Sequence, residues 1–408
     1  MDSKKIIRET IQDITPADPQ TMQEAVRRQD SLAKPPGSLG GLEEISVRMA
    51  GITGEVIPAK GFPGRGCVIV FCADNGVVNQ GVASAPQSVT RAQTINFTRR
   101  LTGVGALANS FGSELLIVDM GVKDPIPAEL YDDVPLRDTH KIIDRRIRPG
   151  TWDISQGPAM TEAEAMQAMA AGAEMARAAA REGYDLLGIG EMGIGSTTTS
   201  AAVLSAITGA KAGQTCGRGG GVNDAGFRRK KEIVDAIREE FQEDDKRGTD
   251  PGGSAAGPAE QSEGVNCAGL DRIVKILARC GGFDLAAMTG AYLGAAAEGV
   301  PVVIDGYISV VAALAAAEIV PAAADDMFAS HVSAEPGYVL ALERLQSYSP
   351  GLQPFLGLDM RLGEGSGCPV TFKVIQGACA VMRDMATFEE AEINDDYLEE
   401  VRAGGCFG

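Results

Sequence analysis

The stretch from Leu186 to Ala202 constrains the fold most, because in it an apolar strand passes through several glycines into a helix (LLGIGEMGIGSTTTSAA). Glycine permits both a tight strand-to-helix turn and a close approach of the backbone to a ligand. Gly193, Gly195, Ser196 and Thr197 precede an alanine-rich helix start, where N–H groups without intrahelical partners and the helix dipole attract an anion. The stretch therefore predicts a site for a phosphate group.

Glu191 lies among these glycines, where a simple phosphate site would avoid a negative charge. It is either a surface carboxylate or a site residue, and a turn that lines a cleft favours the second. The pattern Gly188-x-Gly190-x-x-Gly193 also matches the dinucleotide fingerprint, which requires an acidic residue about 20 positions further on. Residues 208–222 offer none. A site for a phosphate or ribose-phosphate group is therefore favoured, with dinucleotide binding and a purely structural turn as alternatives.

Apolar runs alternate with helical patterns from residue 67 onward, which predicts an α/β fold with a mostly parallel sheet flanked by helices. The predicted strands are 67–73, 115–120, 186–190, 301–304 and 327–330, with a further short core segment at 355–360. The predicted helices include 89–99, 161–182, 283–297, 309–319 and 374–385. Polar, glycine-containing loops follow the strands at Asp74, Glu191, Asp305, Ser333 and Glu364. Because parallel strands end at one edge, we expect the site there.

The composition limits the classes of partner and the cellular location that we expect for the chain. The formal net charge of −18 argues against nucleic acid and anionic membranes. No uninterrupted apolar run reaches the roughly 20 residues of a membrane span, and the polar N-terminus predicts no signal peptide. The eight cysteines form no CxxC pair, which predicts reduced thiols in a cytoplasmic protein. The segment 242–264 is acidic and rich in Gly, Pro and Ser, and predicts a disordered or surface insertion.

Neither a metal nor a cofactor is predicted. His140 and His331 are the only histidines, and they show no zinc spacing and no neighbouring nucleophile motif. His331 is read as a hydrogen-bonding loop residue. The acids Asp74, Asp305 and Glu335 leave a magnesium site open, since such sites combine carboxylates with substrate phosphates.

Charged residues in three glycine-containing loops are the candidates for chemistry. Glu364 lies in GEGSG, where partial burial would raise its pKa toward that of a general base. The alternative is a loop carboxylate that caps the next helix through Ser366. Asp224 and Lys230 follow the sequence GRGGG, which favours an anion pocket that includes Lys230. The alternative is a carboxylate at a helix start and a solvated lysine. Arg218 and Arg361 could balance an anionic ligand.

Nine sequence motifs, taken in their order along the chain, resemble those of a known family closely. They are KPPGSLGGLE (34–43), ADNGV (73–77), APQSVTRAQTINF (85–97), GIGEMGIGSTT (188–198), GRGGGVNDAGFRRK (217–230), GGFDLAAMTGA (281–291), PVVIDGYIS (301–309), SHVSAEPGY (330–338) and LDMRLGEGSG (358–367). In this order the chain resembles the nicotinate-nucleotide:dimethylbenzimidazole phosphoribosyltransferase family over nearly its whole length.

The resemblance implies a Rossmann-like catalytic domain (61–387), a small helical domain (1–60 plus 388–408) and a homodimer. It also implies transfer of the 5-phosphoribosyl group from nicotinate mononucleotide to a benzimidazole-type base, with inversion at the anomeric carbon. The products are nicotinate and α-ribazole 5′-phosphate, a precursor of the cobalamin nucleotide loop. The alternatives are a NAD-dependent oxidoreductase and a non-catalytic nucleotide-binding homologue.

The resemblance also implies roles for single residues. Glu364 matches the general base, and Glu191 matches a second carboxylate that could stabilise a cationic ribosyl transition state. The expected phosphate and ribose contacts are Gly193, Gly195, Ser196, Thr197, Asp224, Lys230, Asp305 and Ser333. The expected contacts to the aromatic base are Ala85, Gln93, Met192 and Leu362.

The chain departs from the family pattern at several of these motifs. Asn75 and Tyr338 stand where the family usually has histidine, Ser196 replaces a common asparagine, and Ala85 replaces a serine found in many members. Loss of a polar contact at Ala85 would loosen the selection of one ring. The preferred base is therefore left open among dimethylbenzimidazole, other benzimidazoles, purines and phenolic compounds.

Overall fold

A parallel β-sheet forms the centre of the fold. The structure, a computed structural model, describes residues 2–132, 136–248 and 267–398. The strands in these residues are β1 Gly66–Ala73, β2 Glu114–Gly121, β3 Ile142–Asp144, β4 Leu186–Met192, β5 Val302–Ile304, β6 Met327–His331 and β7 Pro354–Leu356. They form one seven-stranded sheet in the order β3-β2-β1-β4-β5-β6-β7, and every neighbouring pair is parallel. The predicted α/β class is therefore confirmed.

Helices cover both faces of the sheet. They are α1 Ser3–Asp13, α2 Pro19–Ser31, α3 Gly41–Thr53, α4 Ser88–Thr98, α5 Gly103–Phe111, α6 Glu162–Arg181, α7 Ser196–Thr208, α8 Ala212–Thr215, α9 Asp224–Gly248, α10 Cys267–Cys280, α11 Phe283–Ala297, α12 Tyr307–Ile319, α13 Gly337–Gln346 and α14 Cys368–Asp384. Within the described part of the chain, no helix is long and apolar enough to cross a membrane.

Strand β1 shows how the two layers are built. Its eight residues are all buried, as expected for a central parallel strand. Side chains alternate across a strand, so Ile69 and Phe71 join the core against α6 and α11, while Val68 and Val70 join the core against α14. The sheet is therefore buried on both faces, and its exposed functional surface is the edge where the strands end.

The strand order reverses between β1 and β4. In an open α/β sheet, ligands bind in the crevice at such a reversal, outside the carboxyl ends of the strands. The chain after β1 passes through Asp74 and Asn75, and the chain after β4 passes through Gly193. A Cβ at Gly193 would collide with the carbonyl oxygen of Ala73, so only glycine lets the two segments approach this closely.

Two predicted boundaries around this crevice are wrong in an informative way. Strand β4 continues past the predicted end at 190, because β1 is long enough to pair with Glu191 and Met192 as well. Helix α7 begins at Ser196, so the hydroxyl residues form its first turn instead of preceding it. Glu191 therefore lies on a strand, and the start of the helix lies nearer to the sheet than expected.

Other differences lie outside the central strands. The predicted core segment 355–360 is a short, half-buried strand, Pro354–Leu356, followed by an exposed loop. Helix α14 begins at Cys368 instead of 374, with Pro369 in its first turn, where proline is tolerated. Helix α5 and strand β3 were not predicted, because both are short and α5 contains two glycines and a serine.

The helices near the chain ends pack in two ways. Ile7 and Ile11 of α1 belong to the large core beside α6. Helix α3 packs against α14, and Leu32 forms an isolated antiparallel bridge with Thr387. Residues from the first and last parts of the described chain are thus in contact, and the division into a domain of 1–60 plus 388–408 and a domain of 61–387 stays a prediction.

The first part of the predicted insertion at 242–264 is helical, which corrects the prediction for these residues. Residues 242–248 continue α9, because their Gln, Glu, Lys and Arg favour a helix even without an apolar period. The rest of the predicted insertion lies outside the described residues.

The side chains of six cysteines are described, and all six are free and buried. They are Cys67, Cys72, Cys216, Cys280, Cys368 and Cys379. Burial raises the pKa of each of these thiols above its ordinary value.

Candidate active site

A cavity of about 280 Å³ lies at the carboxyl edge of the sheet, where the segments after β4, β5 and β6 meet the loop 361–364. The predicted site residues that line it are Glu191, Met192, Gly193, Ser196, Thr197, Asp305, Ser333, Leu362 and Glu364. Folding therefore brings together four segments that are far apart in the sequence, as the parallel arrangement of the strands predicts.

Three more predicted residues lie next to this lining. Gln93, on α4, places Nε2 3.4 Å from Glu364 Oε1. Lys230, on α9, donates a hydrogen bond from Nζ to Thr197 Oγ1 at 2.9 Å. Gly195 precedes α7 with φ +98°, a conformation that glycine adopts without strain. These three residues contact the lining residues or adjoin them in the chain, and are not part of the lining themselves.

Asp224 and Ala85 lie further away. The side chain of Asp224 is 78% exposed and pairs with Arg218 at 2.6 Å. Ala85 is half-buried in the loop before α4. Its neighbour Ser84 donates a hydrogen bond from Oγ to the carbonyl oxygen of Gly220, which does line the cavity, at 3.0 Å. Neither Asp224 nor Ala85 is among the described residues of the lining.

Glu364 is held in an uncommon backbone conformation. Its φ is +64°, and its neighbours Gly363 and Gly365 have φ +84° and +85°. A non-glycine residue in this region costs energy and persists only where its surroundings impose it. The buried carboxylate of Asp305 imposes it by accepting hydrogen bonds from the N–H groups of Gly365, at 3.0 Å, and Gly367, at 2.7 Å.

Strand β4 and helix α5 direct the Glu364 side chain. A Cβ at Gly190 would lie 2.5 Å from the carbonyl oxygen of Glu364, so glycine there lets the loop cross the strand. The carboxylate accepts a hydrogen bond from the N–H of Val104, at the start of α5, at 3.2 Å. Burial raises the pKa of Glu364, and the hydrogen bonds from Val104, Gly103 and Gln93 oppose that rise. The result is a carboxyl group suited to accept a proton.

Glu191 lies in a different environment, at the buried end of β4. Its Oε2 is buried and has no hydrogen-bond partner among the described residues. Burial raises its pKa well above the ordinary value, and the negative charge of Asp284 raises it further. Burial also raises the pKa of Asp284, to about 6, although Asn75 donates a hydrogen bond to it from Nδ2 at 3.0 Å. Two acids this close titrate as a pair.

Asp305 lies between the loop of Glu364 and the end of β6. Burial raises the pKa of Asp305 to about 7, while the two amide hydrogen bonds from the Glu364 loop oppose that rise. His331 Nδ1 lies 2.9 Å from Ser330 Oγ, and burial lowers the pKa of this histidine, which favours the neutral ring. His331 is thus a hydrogen-bonding residue, as predicted, but it ends the buried strand β6 instead of lying in a loop, and it lines the cavity.

The hydroxyl-rich end of the cavity has a buried cation behind it. Lys230 is completely buried, and its Nζ donates hydrogen bonds to two neutral acceptors, Thr197 Oγ1 and the carbonyl oxygen of Gly217, the latter at 3.1 Å. Burial lowers the pKa of Lys230, and the nearby Glu335 carboxylate opposes this. A buried ammonium group beside a helix start favours an anionic ligand.

Sequence reasoning missed the roles of Asp284 and Asn75. Both lie in quoted motifs, but neither was assigned to the site. The available signal was an aspartate in the first turn of α11, a helix that is otherwise almost entirely apolar (FDLAAMTGA). A buried acid in such a helix needs a partner, and Asn75 after β1 supplies one.

Over the described residues, no group of three or more His, Cys, Asp or Glu side chains is arranged to hold a metal ion. Asp74, Asp305 and Glu335, the acids for which the sequence left a magnesium site open, are not brought together as such a group.

Comparison with known proteins places the chain in a family. A family model described as phosphoribosyltransferase matches residues 14–393. The nicotinate-nucleotide–dimethylbenzimidazole phosphoribosyltransferase of Clostridium perfringens is 43% identical over 402 residues, which cover 98% of this chain and 99% of the relative. The enzyme of the same name from Acetivibrio thermocellus is 40% identical over 375 residues, covering 92% of this chain and 94% of the relative.

A solved structure shows the same fold. The crystal structure of CobT from Thermus thermophilus superposes with a TM-score of 0.77 at 36% identity, covering 92% of this chain and all of the other. Both the sequence and the fold thus match over almost the full length. The chain belongs to the nicotinate-nucleotide:dimethylbenzimidazole phosphoribosyltransferase family.

Proposed function

We propose that this chain transfers the 5-phosphoribosyl group of nicotinate mononucleotide to a benzimidazole-type base, forming α-ribazole 5′-phosphate and nicotinate for the cobalamin nucleotide loop. Its family membership supports this reaction. One structural observation carries the proposal: two buried carboxyl groups with raised pKa values, Glu191 and Glu364, line one cavity that ends at a hydroxyl-rich helix start.

The reaction requires that the two substrates be held in position and that a carboxylate accept one proton. A ring nitrogen of the base attacks the anomeric carbon, and the glycosidic C–N bond breaks with its electron pair passing to the pyridine nitrogen of nicotinate. Glu364 takes the proton from the other ring nitrogen of the base, which leaves the ring of the ribosylated product neutral. The pyridinium of the substrate is a good leaving group, so the chemistry requires no metal.

Glu191 would stabilise positive charge on the ribose. The Glu191–Asp284 pair is buried, and its protonation state responds to a nearby cation. A positive ribosyl group lowers the pKa of Glu191, so negative charge forms where the cation develops. A buried carboxylate stabilises such a transition state more than an exposed one, because water screens it less.

The phosphate would bind at the start of α7. Ser196, Thr197 and Ser333 line this end of the cavity, and Lys230 stands directly behind Thr197. Gly193 lets the chain after β4 pack against the end of β1, and Gly195 supplies the left-handed turn from which α7 starts. Hydroxyl groups, N–H groups and one buried cation are the usual contacts of a phosphomonoester.

The aromatic base would lie between Gln93 and the rim of the cavity. Met192 and Leu362 offer apolar contacts there, and Leu362 is 60% exposed. Gln93 touches Glu364, so it can orient both the carboxylate and a ring nitrogen. Apolar contacts and one amide select the ring less strictly than several polar contacts would, and we therefore expect several benzimidazoles to be accepted.

A homodimer and a cytoplasmic location are part of the proposal. The dimer rests on the resemblance to the family, and light scattering should give twice the chain mass of 42.5 kDa. The location is supported by the free thiols of the six described cysteines, since disulfides persist mainly in oxidising compartments.

The test is product chromatography after incubation with nicotinate mononucleotide and a panel of bases. Equal amounts of nicotinate and ribosylated base should appear, with dimethylbenzimidazole and related benzimidazoles among the substrates. NAD serves as the control ligand in calorimetry and should bind far more weakly than nicotinate mononucleotide. Nicotinate release without any ribosylated base would reject the transferase, and conversion of dimethylbenzimidazole alone would reject the relaxed base selection.

A further inference from the structure

Glu335 places a carboxylate on the glycine loop 217–221, beside the hydroxyl-rich end of the cavity. Its Oε1 accepts a hydrogen bond from the N–H of Gly219 at 2.8 Å. A Cβ at Gly217 would collide with this carboxylate, so the glycine makes room for it. Its Oε2 is buried and has no hydrogen-bond partner among the described residues. The carboxylate is thus packed against the loop.

This is a position where an anionic ligand would be expected. Gly219, Glu335, Thr197 and Ser333 all line the cavity. Lys230 lies behind them, and its hydrogen bonds to Thr197 and Gly217 both go to neutral oxygens. The negative charge of Glu335 acts on Lys230, where it opposes the effect of burial on the lysine pKa. The chain therefore places its own anion beside the cation and the N–H group that a phosphate would use.

We infer that Glu335 competes with the substrate phosphate for the glycine loop and leaves the Gly219 N–H when a phosphomonoester dianion binds. The inference rests on the proposed function for its substrate. Two anions at one N–H group repel each other, so binding of the phosphate requires the carboxylate to move. Residues 332, 334 and 336 on either side are exposed, and rotation of the Glu335 side chain is enough to release it. Glu335 thereby sets the affinity for the phosphate and has little effect on ligands without one.

The experiment replaces Glu335 by Gln, whose amide oxygen can still accept from Gly219 while the charge is lost. The KM for nicotinate mononucleotide and the Kd for inorganic phosphate should each fall roughly fivefold, because a like charge next to the ligand is removed. The affinity for nicotinate riboside, which has no phosphate, should stay unchanged. Glu343→Gln, an exposed substitution on α13 with the same change of net charge, should alter none of these values.

Two results would overturn the inference. Unchanged phosphate affinity would mean that Glu335 only shapes the loop, and weaker phosphate binding would mean that it assists the ligand. If Glu335→Gln fails to fold, as judged by its melting temperature, calorimetry with Glu335→Ala tests the same prediction. Failure of the proposed function is a separate result, because inorganic phosphate can be titrated even if nicotinate mononucleotide is not converted.

Discussion

The two carboxylates of the cavity are positioned by opposite means. Glu364 lies on a loop with a left-handed backbone conformation. The N–H of Gly365 in this loop donates a hydrogen bond to Asp305, and the Glu364 carboxylate accepts one from the N–H of Val104. Glu191 lies on a regular strand that pairs with β1, and its side chain is buried beside another acid. The first position depends on many specific contacts, whereas the second follows from the sheet itself.

The two ways of positioning a carboxylate suit two different catalytic tasks. A proton acceptor must reach a substrate atom at a hydrogen-bond distance, and a loop fixed from several sides can place it there. A group that stabilises charge needs burial and a fixed place, which the end of a central strand provides. We therefore expect substitutions near Glu364 to affect activity through geometry, and substitutions near Glu191 to affect it through charge.

The largest effect should come from Gly190→Ala. Its methyl group would lie 2.5 Å from the carbonyl oxygen of Glu364 and push the loop away from β4. We expect kcat/KM to fall by about 1,000-fold, since both proton transfer and positioning are lost. The matched control is Gly377→Ala on the exposed side of α14, where a Cβ meets no heavy atom within 4 Å. It should keep full activity, and equal losses in the two variants would contradict a geometric role for Gly190.

Glu364→Gln should have the next largest effect. The amide keeps the shape of the side chain and loses the ability to accept a proton, so kcat should fall by about 100-fold. In the wild type, kcat/KM should fall as the pH drops through the pKa of Glu364, which burial places above its ordinary value. The acid form cannot act as a base, so the variant should lose the part of this limb that Glu364 sets and keep the part that Glu191 sets. Unchanged turnover would remove Glu364 from the mechanism.

Asp284→Asn tests the electrostatic side of the comparison. Removing this negative charge should lower the pKa of Glu191, because the repulsion that raises it is gone. Since a carboxyl group is ionised above its pKa, the activity of the variant should extend to lower pH. We expect kcat to change by no more than about tenfold, the equivalent of one pKa unit. A pH profile identical to that of the wild type would show that the two acids act independently.

The smallest effect should come from Asp224→Ala. The side chain is mostly exposed and pairs with an exposed arginine, Arg218. The KM for nicotinate mononucleotide should stay within about twofold, as for most surface substitutions. A large rise in KM would show that the loop before α9 contacts the phosphate and that the cavity extends further than its present lining.

The sequence predicts the sheet and the edge where the site lies, because both follow from local patterns. Glu191, Asp305, Ser333 and Glu364 come directly after strands or in glycine loops, and parallel pairing brings such residues together. Asp224 looked equivalent from its glycine-rich context, yet its side chain points to solvent. The sequence pattern places a residue at an edge but does not give the direction of its side chain.

The interactions that tune the site could not be predicted in the same way. Asp284 acts on Glu191 from a helix nearly 100 positions away, and the start of α5 holds Glu364 from more than 200 positions away. Such contacts depend on the angle at which helices pack, which a single sequence does not reveal. The extension of β4 to Met192 depends in turn on the length of its neighbour β1.

The buried cysteines can report local unfolding of the chain, because they become reactive only when they are exposed. A thiol reacts with an alkylating reagent only as an exposed thiolate, and the six described cysteines have neither exposure nor an ordinary pKa. Cys72 lies near the end of the central strand β1, Cys368 begins α14, and Cys216 lies beside the glycine loop. The alkylation rate of each cysteine-containing peptide would therefore give the rate of local unfolding at three places in the molecule, in one sample and without an introduced label.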